Sequence, residues 1–313
     1  MNFILGIDTS CYTTSLAIMD EGGRLIADAR KLLSVKSGNR GLSQSEMVYQ
    51  HTRNLPLLFE QVFDKFDTPI SLKAIGVSAW PRPLPDSYMP AFLVGTGFAR
   101  ALAITDKSRL KQVSHQEGHI FAGIWSAGGP RSNNFLAIHM SGGTTELLKI
   151  ERSERKTHIE LIGGSKDLNA GQMIDRIGVL MGLPFPSGAH LEELAKYNKG
   201  APAMIPSSVQ GLEVSFSGPE THAIRLIKGG ATHEAVAEGV QLCISQSLSR
   251  LIRTAVKATG LKEILLVGGV SSNQYIRNYI EQNVRDLGIK VFLPERQYSS
   301  DNAVGAAFMA LIG

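Results

Sequence analysis

The chain has 313 residues, of which 43% are hydrophobic and 19% are charged. This composition excludes a disordered or fibrous chain, and the length suits two lobes of about 150 residues each. A net charge of +4 permits a polyanionic partner such as a nucleic acid without requiring one. The two cysteines, Cys11 and Cys243, are expected to be structural thiols. No apolar run reaches the length of a membrane span, so we expect a cytoplasmic protein with no membrane partner.

A short apolar run, a small polar loop and a second apolar run occur twice in the chain. Residues 135–150 read FLAIHMSGGTTELLKI, which predicts a hairpin whose tight Ser-Gly-Gly loop lets backbone N–H groups approach an oxyanion. When this segment is moved back by 131 positions, Ser141 falls on Ser10 and Leu147 falls on Leu16. We interpret the repetition as two related lobes that grip a phosphate.

The pattern after the first hairpin alternates between strands and helices, which predicts the α/β class. Residues 81–90 are too rich in proline for regular structure, and residues 128–134 favour a linker. Residues 201–218 show no pattern that can be assigned. The expected helices are 43–66, with an interruption allowed at Pro56, then 91–103, 115–125, 173–181 and 234–258. The expected strands outside the hairpins are 25–27, 74–77 and 264–267.

His115 and His119 stand four positions apart. On a helix both imidazoles would project from one face and could share a cation. The alternative is two half-buried histidines on an amphipathic helix. Because Gln116 follows the first histidine, the HExxH pattern of metallopeptidases is absent and peptidase activity is poorly supported.

Gly268 and Gly269 follow an apolar run and precede a predicted helix, together with Ser271, Ser272 and Asn273. In an α/β protein a ligand meets the carboxyl end of the sheet at such a place, and glycine lets the backbone approach a base or a ribose. A motif this short is also typical of a plain turn between a strand and a helix.

Three carboxylates stand at the ends of predicted strands and helices. Asp175, expected at the start of a helix, either compensates the helix dipole or binds a sugar hydroxyl. Asp301, followed by Asn302, is typical of a helix N-cap. Asp8 closes the first strand, where it either positions a metal or water or forms a turn.

Seven segments carry a resemblance to one family. In order they are GIDTSCYTTSLAI, SHQEGHIFA, MSGGTTEL, NAGQMIDRIGVLMGLPFPSG, VSFSG, LLVGGVSSNQYIR and DNAVGAAF. They resemble the TsaD (YgjD/Gcp) family, whose corresponding segments include GIETSCDETSVAI, HHMEGH and VSGGHTQL. Members of that family make threonylcarbamoyladenosine in tRNA and were once described as O-sialoglycoprotein endopeptidases. The segments span nearly the whole chain, which is identified as a diverged paralogue within the family.

The resemblance implies a fold of the actin/Hsp70/sugar-kinase (ASKHA) type, with two RNase-H-like lobes and a nucleotide cleft between them. The implied lobes are residues 1–133 and 134–301, and the implied helix 302–313 packs back onto the first lobe. This implication agrees with the duplication that the two hairpins predict.

The resemblance also implies the residues of a site. One iron or zinc ion per chain would be bound by His115, His119 and Asp301, and Asp8 and Ser10 would be catalytic. Gly268 and Gly269 would hold the nucleotide, which is ATP, ADP or the adenylate. The contacts to the threonylcarbamoyl-adenylate substrate would come from His139, Met140, Ser141, Gly142, Gly143, Asp175, Gly188 and Asn273.

The implied reaction is attack by the N6 amine of the adenosine beside the tRNA anticodon on a carbamoyl carbonyl, with release of AMP. The implied ion would polarise the threonylcarbamoyl group, and the loop amides would hold the phosphate. Besides tRNA, the implied partners are a TsaB-like paralogous subunit and a small TsaE-like ATPase.

Five positions depart from the family pattern, in which they carry Asp, Glu, His, Glu and Lys. Here the residues are Tyr12, Thr13, Thr144, Gln172 and Glu220. Loss of a charged group at a site that handles charge costs about 2–4 kcal/mol of transition-state stabilisation. Two alternatives therefore stay open. The chain is either a carbamoyl or acyl transferase with another acceptor, or a catalytically silent subunit that binds nucleotide and metal.

Overall fold

The computed structural model describes residues 2–35, 41–153 and 157–313. It divides into two compact units. The first unit contains Met1–Ser34, Leu42–Ser126 and Asp301–Gly313, and the second contains Val35–Gly41 and Ala127–Ser300. The lobe boundaries implied by the resemblance, 1–133 and 134–301, stay a prediction.

The first unit is built on a five-stranded sheet with the order β3-β2-β1-β4-β5. Strands β1, β2 and β3 are antiparallel neighbours, whereas β1, β4 and β5 are parallel. The strands are β1 (Asn2–Asp8), β2 (Thr13–Asp20), β3 (Leu25–Leu32), β4 (Ser71–Trp80) and β5 (Arg109–Ser114). The helices of this unit are α1 (Gln44–Phe63), α2 (Phe92–Asp106), α3 (His115–Ala127) and α10 (Val304–Ile312).

The second unit is built on a seven-stranded sheet with the order β12-β11-β6-β7-β8-β10-β9. The 27-residue helix α7 supplies much of its core, through Val240, Ile244 and Leu248. The strands are β6 (Asn134–Met140), β7 (Thr145–Arg152), β8 (Thr157–Ser165), β9 (Ser208–Gln210), β10 (Glu213–Ser215), β11 (Glu263–Val267) and β12 (Lys290–Phe292). The helices are α4 (Ala170–Leu180), α5 (Gly188–Ala195), α6 (Ser217–Lys228), α7 (His233–Thr259), α8 (Gln274–Val284) and α9 (Arg296–Ser299).

The two sheets repeat one topology. In the first unit β3, β2, β1, β4 and β5 lie side by side, and in the second β8, β7, β6, β11 and β12 lie side by side in the corresponding order. The strand directions also correspond, since each set has two antiparallel pairs followed by two parallel pairs. The predicted hairpins are β1–β2 and β6–β7, which confirms the duplication.

Helix α1 continues through Pro56, so the interruption that we allowed there does not occur. The helix persists because Leu55, Leu58 and Val62 are buried in the core of the unit. Pro56 itself lies on the exposed face, where water can reach the carbonyl group that lacks its N–H partner. Ser43 caps the start of the helix by accepting a hydrogen bond from the backbone N–H of Glu46 at 3.2 Å.

Four regions contain strands that the sequence did not predict, namely β5, β8, β9 with β10, and β12. Strand β5 reads RLKQVS and carries little of the apolar pattern that marks a buried strand. Residues 201–218, which showed no pattern, contain the short antiparallel strands β9 and β10. Among the described residues no helix is both long enough and apolar enough to cross a lipid bilayer.

Helix α10 packs very closely on the sheet and on helix α3 of the first unit. A Cβ atom at Gly76 in β4 would lie 1.9 Å from the carbonyl oxygen of Ala306, so the helix backbone rests directly on the strand. A Cβ atom at Gly305 would lie 1.8 Å from the carbonyl oxygen of Gly118 in α3. These contacts fix the position of Asp301, which precedes α10, relative to the histidines of α3.

Candidate functional site

His115, His119 and Asp301 lie together in the first unit, as the resemblance implies. The Nε2 atoms of His115 and His119 are 3.1 Å apart. Oδ1 of Asp301 lies 3.4 Å from Nε2 of His115 and 3.2 Å from Nε2 of His119. The donor atoms of ligands around a tetrahedral ion with bonds of about 2.0–2.1 Å are about 3.3 Å apart. The three atoms are therefore spaced as one face of a coordination tetrahedron.

The start of helix α3 orients the two histidines. Strand β5 ends at Ser114 and the helix begins at His115. Oγ of Ser114 accepts a hydrogen bond from the backbone N–H of Glu117 at 3.1 Å, and the Glu117 carboxylate accepts from the backbone N–H of Ser114 at 2.7 Å. This reciprocal capping box holds the first helical turn, and His115 and His119, one turn apart, project on one face of the helix.

Asp301 is not the N-cap that the sequence suggested. Its carboxylate contacts the histidines, and the neighbouring Asn302 accepts a hydrogen bond from the backbone N–H of Val304 at 2.9 Å. The backbone N–H of Ala303 donates to Oγ of Ser15 in β2 at 2.9 Å. Because its neighbours satisfy the helix terminus, the Asp301 carboxylate remains available to bind a cation.

Asp8 is a buried carboxylate that orients His115. Its Oδ2 atom lies 3.2 Å from Nδ1 of His115 and accepts a hydrogen bond from Oγ of Ser78 at 2.7 Å. Its Oδ1 atom accepts from the backbone N–H of Ser10 at 2.8 Å and from the Ser10 hydroxyl at 2.5 Å. A histidine that donates Nδ1–H to a carboxylate presents the lone pair of Nε2 to a metal ion. Asp8 and Ser10, predicted as catalytic, therefore support the histidine.

The cluster has an uneven distribution of charge. Burial alone would lower the pKa of His115, but attraction to Asp8 and hydrogen bonds to Asp301 and Asp8 raise it to about 10. Burial and repulsion by His115 lower the pKa of His119. Burial would raise the pKa of Asp301, but hydrogen bonds from both histidines hold it well below its usual range. Without a metal ion, the single positive charge of His115 therefore faces two carboxylates, and the cluster keeps a net negative charge.

This charge distribution predicts how the stability of metal-free protein depends on pH. Because the pKa of His115 is raised by folding, its contribution is fully present below about pH 6.5, the unfolded value, and is lost as the pH rises through about 10. We expect the free energy of unfolding of chelator-treated protein to exceed that of His115→Gln at pH 6.5. The difference in free energy of unfolding between the wild type and His115→Gln, measured by urea unfolding, should shrink as the pH rises towards 10. A difference that is constant across this range would contradict the prediction.

The donor set fits the iron or zinc ion implied by the resemblance. Two imidazole nitrogens and one carboxylate oxygen are ligands typical of catalytic zinc and of non-haem iron, and they leave further coordination positions for a substrate. A magnesium or calcium site would instead be built mainly from oxygen atoms. His119 is almost completely buried, so its imidazole is held in place before any ion binds.

The second predicted group of residues lies in the second unit, around the loop of the β6–β7 hairpin. The Ser141 and Thr144 hydroxyls are 2.7 Å apart, and the backbone N–H of Ser141 donates to the carbonyl oxygen of Thr144 at 2.9 Å. The loop packs on the start of helix α4, because a Cβ atom at Gly171 would lie 2.4 Å from the carbonyl oxygen of Ser141. Asn169 donates to the carbonyl oxygen of Gly143 at 3.0 Å.

Asp175 lies in the middle of helix α4 and not at its start, where the sequence suggested it. The helix begins at Ala170 because Asn169 and Gln172 form a capping box. One carboxylate oxygen of Asp175 accepts a hydrogen bond from the backbone N–H of Ser187 at 2.7 Å, next to Gly188. The other lies 3.9 Å from the position of a Cβ atom at Gly142. Burial raises the pKa of Asp175.

The strand-to-helix turn after β11 also reaches this region. Gly268 has a φ angle of +92°, and its Cβ position would lie 2.2 Å from the carbonyl oxygen of Met140. A 3₁₀ turn over Gly269–Ser272 then leads into α8. Asn273 caps α8, accepting from the backbone N–H of Ile276 at 3.0 Å and donating to Gln241 at 2.8 Å. The turn thus packs against the strand that enters the Ser-Gly-Gly loop.

The neighbouring glycines Gly268 and Gly269 allow a paired test. We expect Gly268→Ala to destabilise the second unit by at least about 1–3 kcal/mol, because its Cβ atom would overlap backbone at a φ angle that disfavours side chains. Nothing lies within 4 Å of a Cβ atom at Gly269, so the Gly269→Ala variant should have the melting temperature of the wild type. If Gly269 approaches a nucleotide, the Gly269→Ala variant should bind ADP more weakly than the wild type in calorimetry, although it is equally stable. Unchanged ADP affinity would contradict the nucleotide-binding role.

His139 and Glu146 form a buried pair at the base of this loop. They are opposite each other in the β6–β7 ladder, and Nδ1 of His139 lies 3.9 Å from Oε2 of Glu146. Both side chains are buried. His139, predicted to bind the substrate, therefore has a neighbouring carboxylate, that of Glu146, which was not among the predicted site residues.

Three of the departures from the family pattern have local structural roles. Thr144 closes the Ser-Gly-Gly loop through its contact with Ser141, and Gln172 completes the capping box of α4. Glu220 lies 3.5 Å from Arg176 in an ion pair. Of the other two, Tyr12 packs against a small apolar cluster and Thr13 is buried at the start of β2.

Several residues of these sites escaped the sequence analysis. Cys11, treated as a structural thiol, lies beside His115 and Asp301, whereas Cys243 is completely buried in the core. Ser78 supports Asp8 across the sheet of the first unit. Glu192 in α5 accepts hydrogen bonds from the backbone N–H of Gln274 at 2.9 Å and from the Arg296 side chain at 2.7 Å. Of these residues only Cys11 had a local signal in the sequence, because it lies within the segment GIDTSCYTTSLAI.

A polar cavity of about 520 Å³ lies elsewhere in the second unit, beside the start of helix α6. It is lined by hydroxyl groups and by two basic side chains, His222 and Arg225. None of the predicted site residues lines it, so the chemistry derived above does not involve this cavity.

Comparison with known proteins identifies the family. The family model of TsaD, tRNA N6-adenosine threonylcarbamoyltransferase, matches residues 36–308. The chain is 31% identical over 311 residues to a tRNA N6-adenosine threonylcarbamoyltransferase of Thermus thermophilus, covering 98% of this chain and 92% of that protein.

Solved structures with low sequence identity share the fold. The activator of 2-hydroxyisocaproyl-CoA dehydratase from Clostridium difficile superposes with a TM-score of 0.55 at 15% identity, covering 99% of this chain and 94% of that chain. A ROK family glucokinase from Streptomyces griseus gives a TM-score of 0.53 at 11% identity, covering 99% and 100%. These neighbours confirm the predicted ASKHA fold class. The family match, nearly complete in both directions, shows that the chain belongs to the TsaD family of tRNA N6-adenosine threonylcarbamoyltransferases.

Proposed function

We propose that this chain transfers the threonylcarbamoyl group from threonylcarbamoyl-adenylate to the N6 amine of the adenosine next to a tRNA anticodon, with release of AMP. The observation that carries the proposal is the grouping of His115, His119 and Asp301, with donor atoms 3.1–3.4 Å apart, in a chain of the TsaD family. A scaffold without chemistry would not need to bury two imidazoles against a carboxylate.

In this proposal His115, His119 and Asp301 hold one iron or zinc ion. When bound, such an ion supplies Lewis-acid polarisation of a carbonyl oxygen. Asp8 fixes the His115 ring through the Nδ1 contact at 3.2 Å, and Ser10 and Ser78 fix Asp8 in turn. We therefore assign Asp8 and Ser10 as positioning residues.

The proposed adenylate contacts lie in the second unit. The Ser141–Gly143 loop lies near the phosphate and offers it the backbone N–H of Gly142, because the N–H groups of Ser141 and Gly143 donate within the loop. Gly268 and Gly269 let the backbone approach the nucleoside. Asp175, Gly188 and Asn273 complete the contacts, with His139 and Met140 at the end of β6. The N6 lone pair forms the new C–N bond, the bond from the carbonyl carbon to the phosphate oxygen breaks, and AMP leaves with that electron pair. The amine proton passes to solvent.

The proposed partners are tRNA, a TsaB-like paralogous subunit and a small TsaE-like ATPase. The excess of Lys and Arg over Asp and Glu, 32 to 28, is compatible with a polyanionic substrate. We propose that the protein acts in the cytoplasm, where tRNA is modified.

The direct test supplies threonylcarbamoyl-adenylate and unmodified tRNA to the purified protein, alone and with the two partner proteins. Digestion of the tRNA followed by mass spectrometry of the nucleosides should detect threonylcarbamoyladenosine. If no combination of partners gives product, the proposal is wrong.

The five departures from the family pattern support two alternatives that the same experiment separates. Binding of the adenylate without affinity for tRNA would favour a transferase with another acceptor. Binding of nucleotide without turnover in any mixture would favour a silent subunit. Stoichiometric iron or zinc in the purified protein, lost in His115→Ala, would count against the silent subunit.

A further inference from the structure

Cys11 lies in the turn between β1 and β2, next to the proposed metal ligands. Its Sγ atom, a ring nitrogen of His115 and a carboxylate oxygen of Asp301 all lie within 4.8 Å of one another. His119 is joined to the same two residues by the shorter distances of 3.1 Å and 3.2 Å. Four side chains that can bind a metal ion therefore meet here, from the hairpin turn, helix α3 and the segment before α10.

The shape of the cluster decides which position Cys11 can take. The three separations of 3.1–3.4 Å among His115, His119 and Asp301 already describe one face of a tetrahedron. With a metal–sulfur bond of about 2.3 Å, a thiolate at the remaining corner would lie about 3.6 Å from each nitrogen ligand. The 4.8 Å bound, which applies to His115 and Asp301, leaves an approach of at most about 1.2 Å, and rotation about the Cα–Cβ bond of Cys11 can supply it.

The backbone of the turn is held so that this rotation is the main freedom left to Cys11. Nε2 of the buried His51 lies 3.1 Å from the carbonyl oxygen of Cys11, and Nδ1 lies 2.8 Å from Oγ1 of Thr14. A carbonyl oxygen can only accept, so Nε2 carries the hydrogen and Nδ1 accepts from the Thr14 hydroxyl. One histidine of α1 thus holds Cys11 within the turn and Thr14 in β2.

We propose that Cys11 is a fourth ligand, whose thiolate binds the metal ion of the His115–His119–Asp301 site and is displaced when an oxygen atom of the substrate takes its position. This inference rests on the metal site of the proposed function. The sulfur–hydrogen bond breaks, the metal–sulfur bond forms and the proton leaves to solvent, so no oxidant or reductant is needed. The half-buried side chain of Cys11 leaves the substrate a route to the same position. A thiolate donor also favours zinc or iron over magnesium.

Cobalt(II) substitution tests the proposal by spectroscopy. Metal-free full-length protein is titrated with cobalt(II) under anaerobic conditions, as the wild type and as Cys11→Ser, Cys243→Ala and His119→Ala. We expect wild type and Cys243→Ala to show visible ligand-field bands together with a near-ultraviolet thiolate-to-cobalt charge-transfer band. Cys11→Ser should lose only the charge-transfer band and bind cobalt about 10-fold or more weakly, and His119→Ala should lose both features.

Each other result has a definite meaning. Ligand-field bands without a charge-transfer band in the wild type, or a band that survives in Cys11→Ser, would overturn the proposal while the three-residue metal site stands. Failure of the wild type to take up cobalt would overturn the metal site and the Cys11 ligand together.

A second measurement needs no substitution. Zinc should slow alkylation of Cys11 by iodoacetamide at least 10-fold, measured by peptide mass spectrometry, with the buried thiol of Cys243 as the control that stays unreactive while the protein is folded. Equal rates with and without bound zinc would contradict the proposal, and adding threonylcarbamoyl-adenylate to the zinc-loaded protein should restore reactivity.

Discussion

Replacing His115 with alanine is expected to remove the bound metal ion and to lower the rate of threonylcarbamoyl transfer at least about 100-fold. The substitution removes one of three donors and leaves Asp8 and Asp301, both buried or partly buried, without the imidazole that lies between them. Loss of a Lewis acid that polarises a carbonyl costs several kcal/mol of transition-state stabilisation, and about 3 kcal/mol corresponds to this factor. Metal content is measured by elemental mass spectrometry, and transfer by the nucleoside assay.

A matched histidine serves as the control for this substitution. His158 is exposed on strand β8 of the second unit, so His158→Ala should keep both the metal and the activity. Asp301→Asn should reproduce the effect of His115→Ala, because it removes the negative charge while keeping the shape of the side chain. Metal retained at wild-type stoichiometry in both His115→Ala and Asp301→Asn would show that the ion binds elsewhere.

The fold was predictable from the sequence because its decisive signals are local or repeated. Each hairpin shows two apolar runs around small polar residues, and the offset between Ser10 and Ser141 exposes the duplication without any structure. Helix α7 was predicted within about one residue at each end, because its apolar positions recur at helical spacing over many turns. Strand β5 was missed because its order comes from pairing with β4 and not from its own composition.

The metal cluster was only partly predictable. The spacing of His115 and His119 places both on one helix face, but nothing local connects them to Asp301, which lies far along the chain. That contact arises from the packing of α10 against β1, β4 and α3, and only the family resemblance anticipated it. Asp175 was misplaced because the Asn169–Gln172 capping box, a readable signal, went unused.

Because α10 packs so closely on α3, the substitution Gly305→Ala is expected to destabilise the protein. A Cβ atom at this position would lie 1.8 Å from the carbonyl oxygen of Gly118 and 2.9 Å from the backbone nitrogen of Ala122. Both are backbone atoms within α3, so neither can move aside as a flexible side chain would. Overpacking of this kind costs about 1–3 kcal/mol and occasionally more, which outweighs the gain of about 1 kcal/mol expected for alanine over glycine in a helix.

The same substitution should also weaken metal binding, because Gly118 lies on α3 between the two histidine ligands and Gly305 follows Asp301 by four residues. Separation of α10 from α3 would lengthen the distances of 3.2 Å and 3.4 Å from Asp301 to the imidazoles. We expect a lower midpoint in urea unfolding of the metal-free protein and at least 10-fold weaker zinc binding in competition with a chelating dye.

Gly97 supplies the opposite case. It lies on the exposed face of α2, with nothing within 4 Å of its Cβ position, so Gly97→Ala should stabilise the protein by about 0.5–1 kcal/mol and leave zinc affinity unchanged. If Gly305→Ala instead matched Gly97→Ala in both measurements, the close approach of α10 to α3 would not hold Asp301 in place. The metal site would then depend on the loop before α10, where Asn302 and the contact between Ala303 and Ser15 are the anchors.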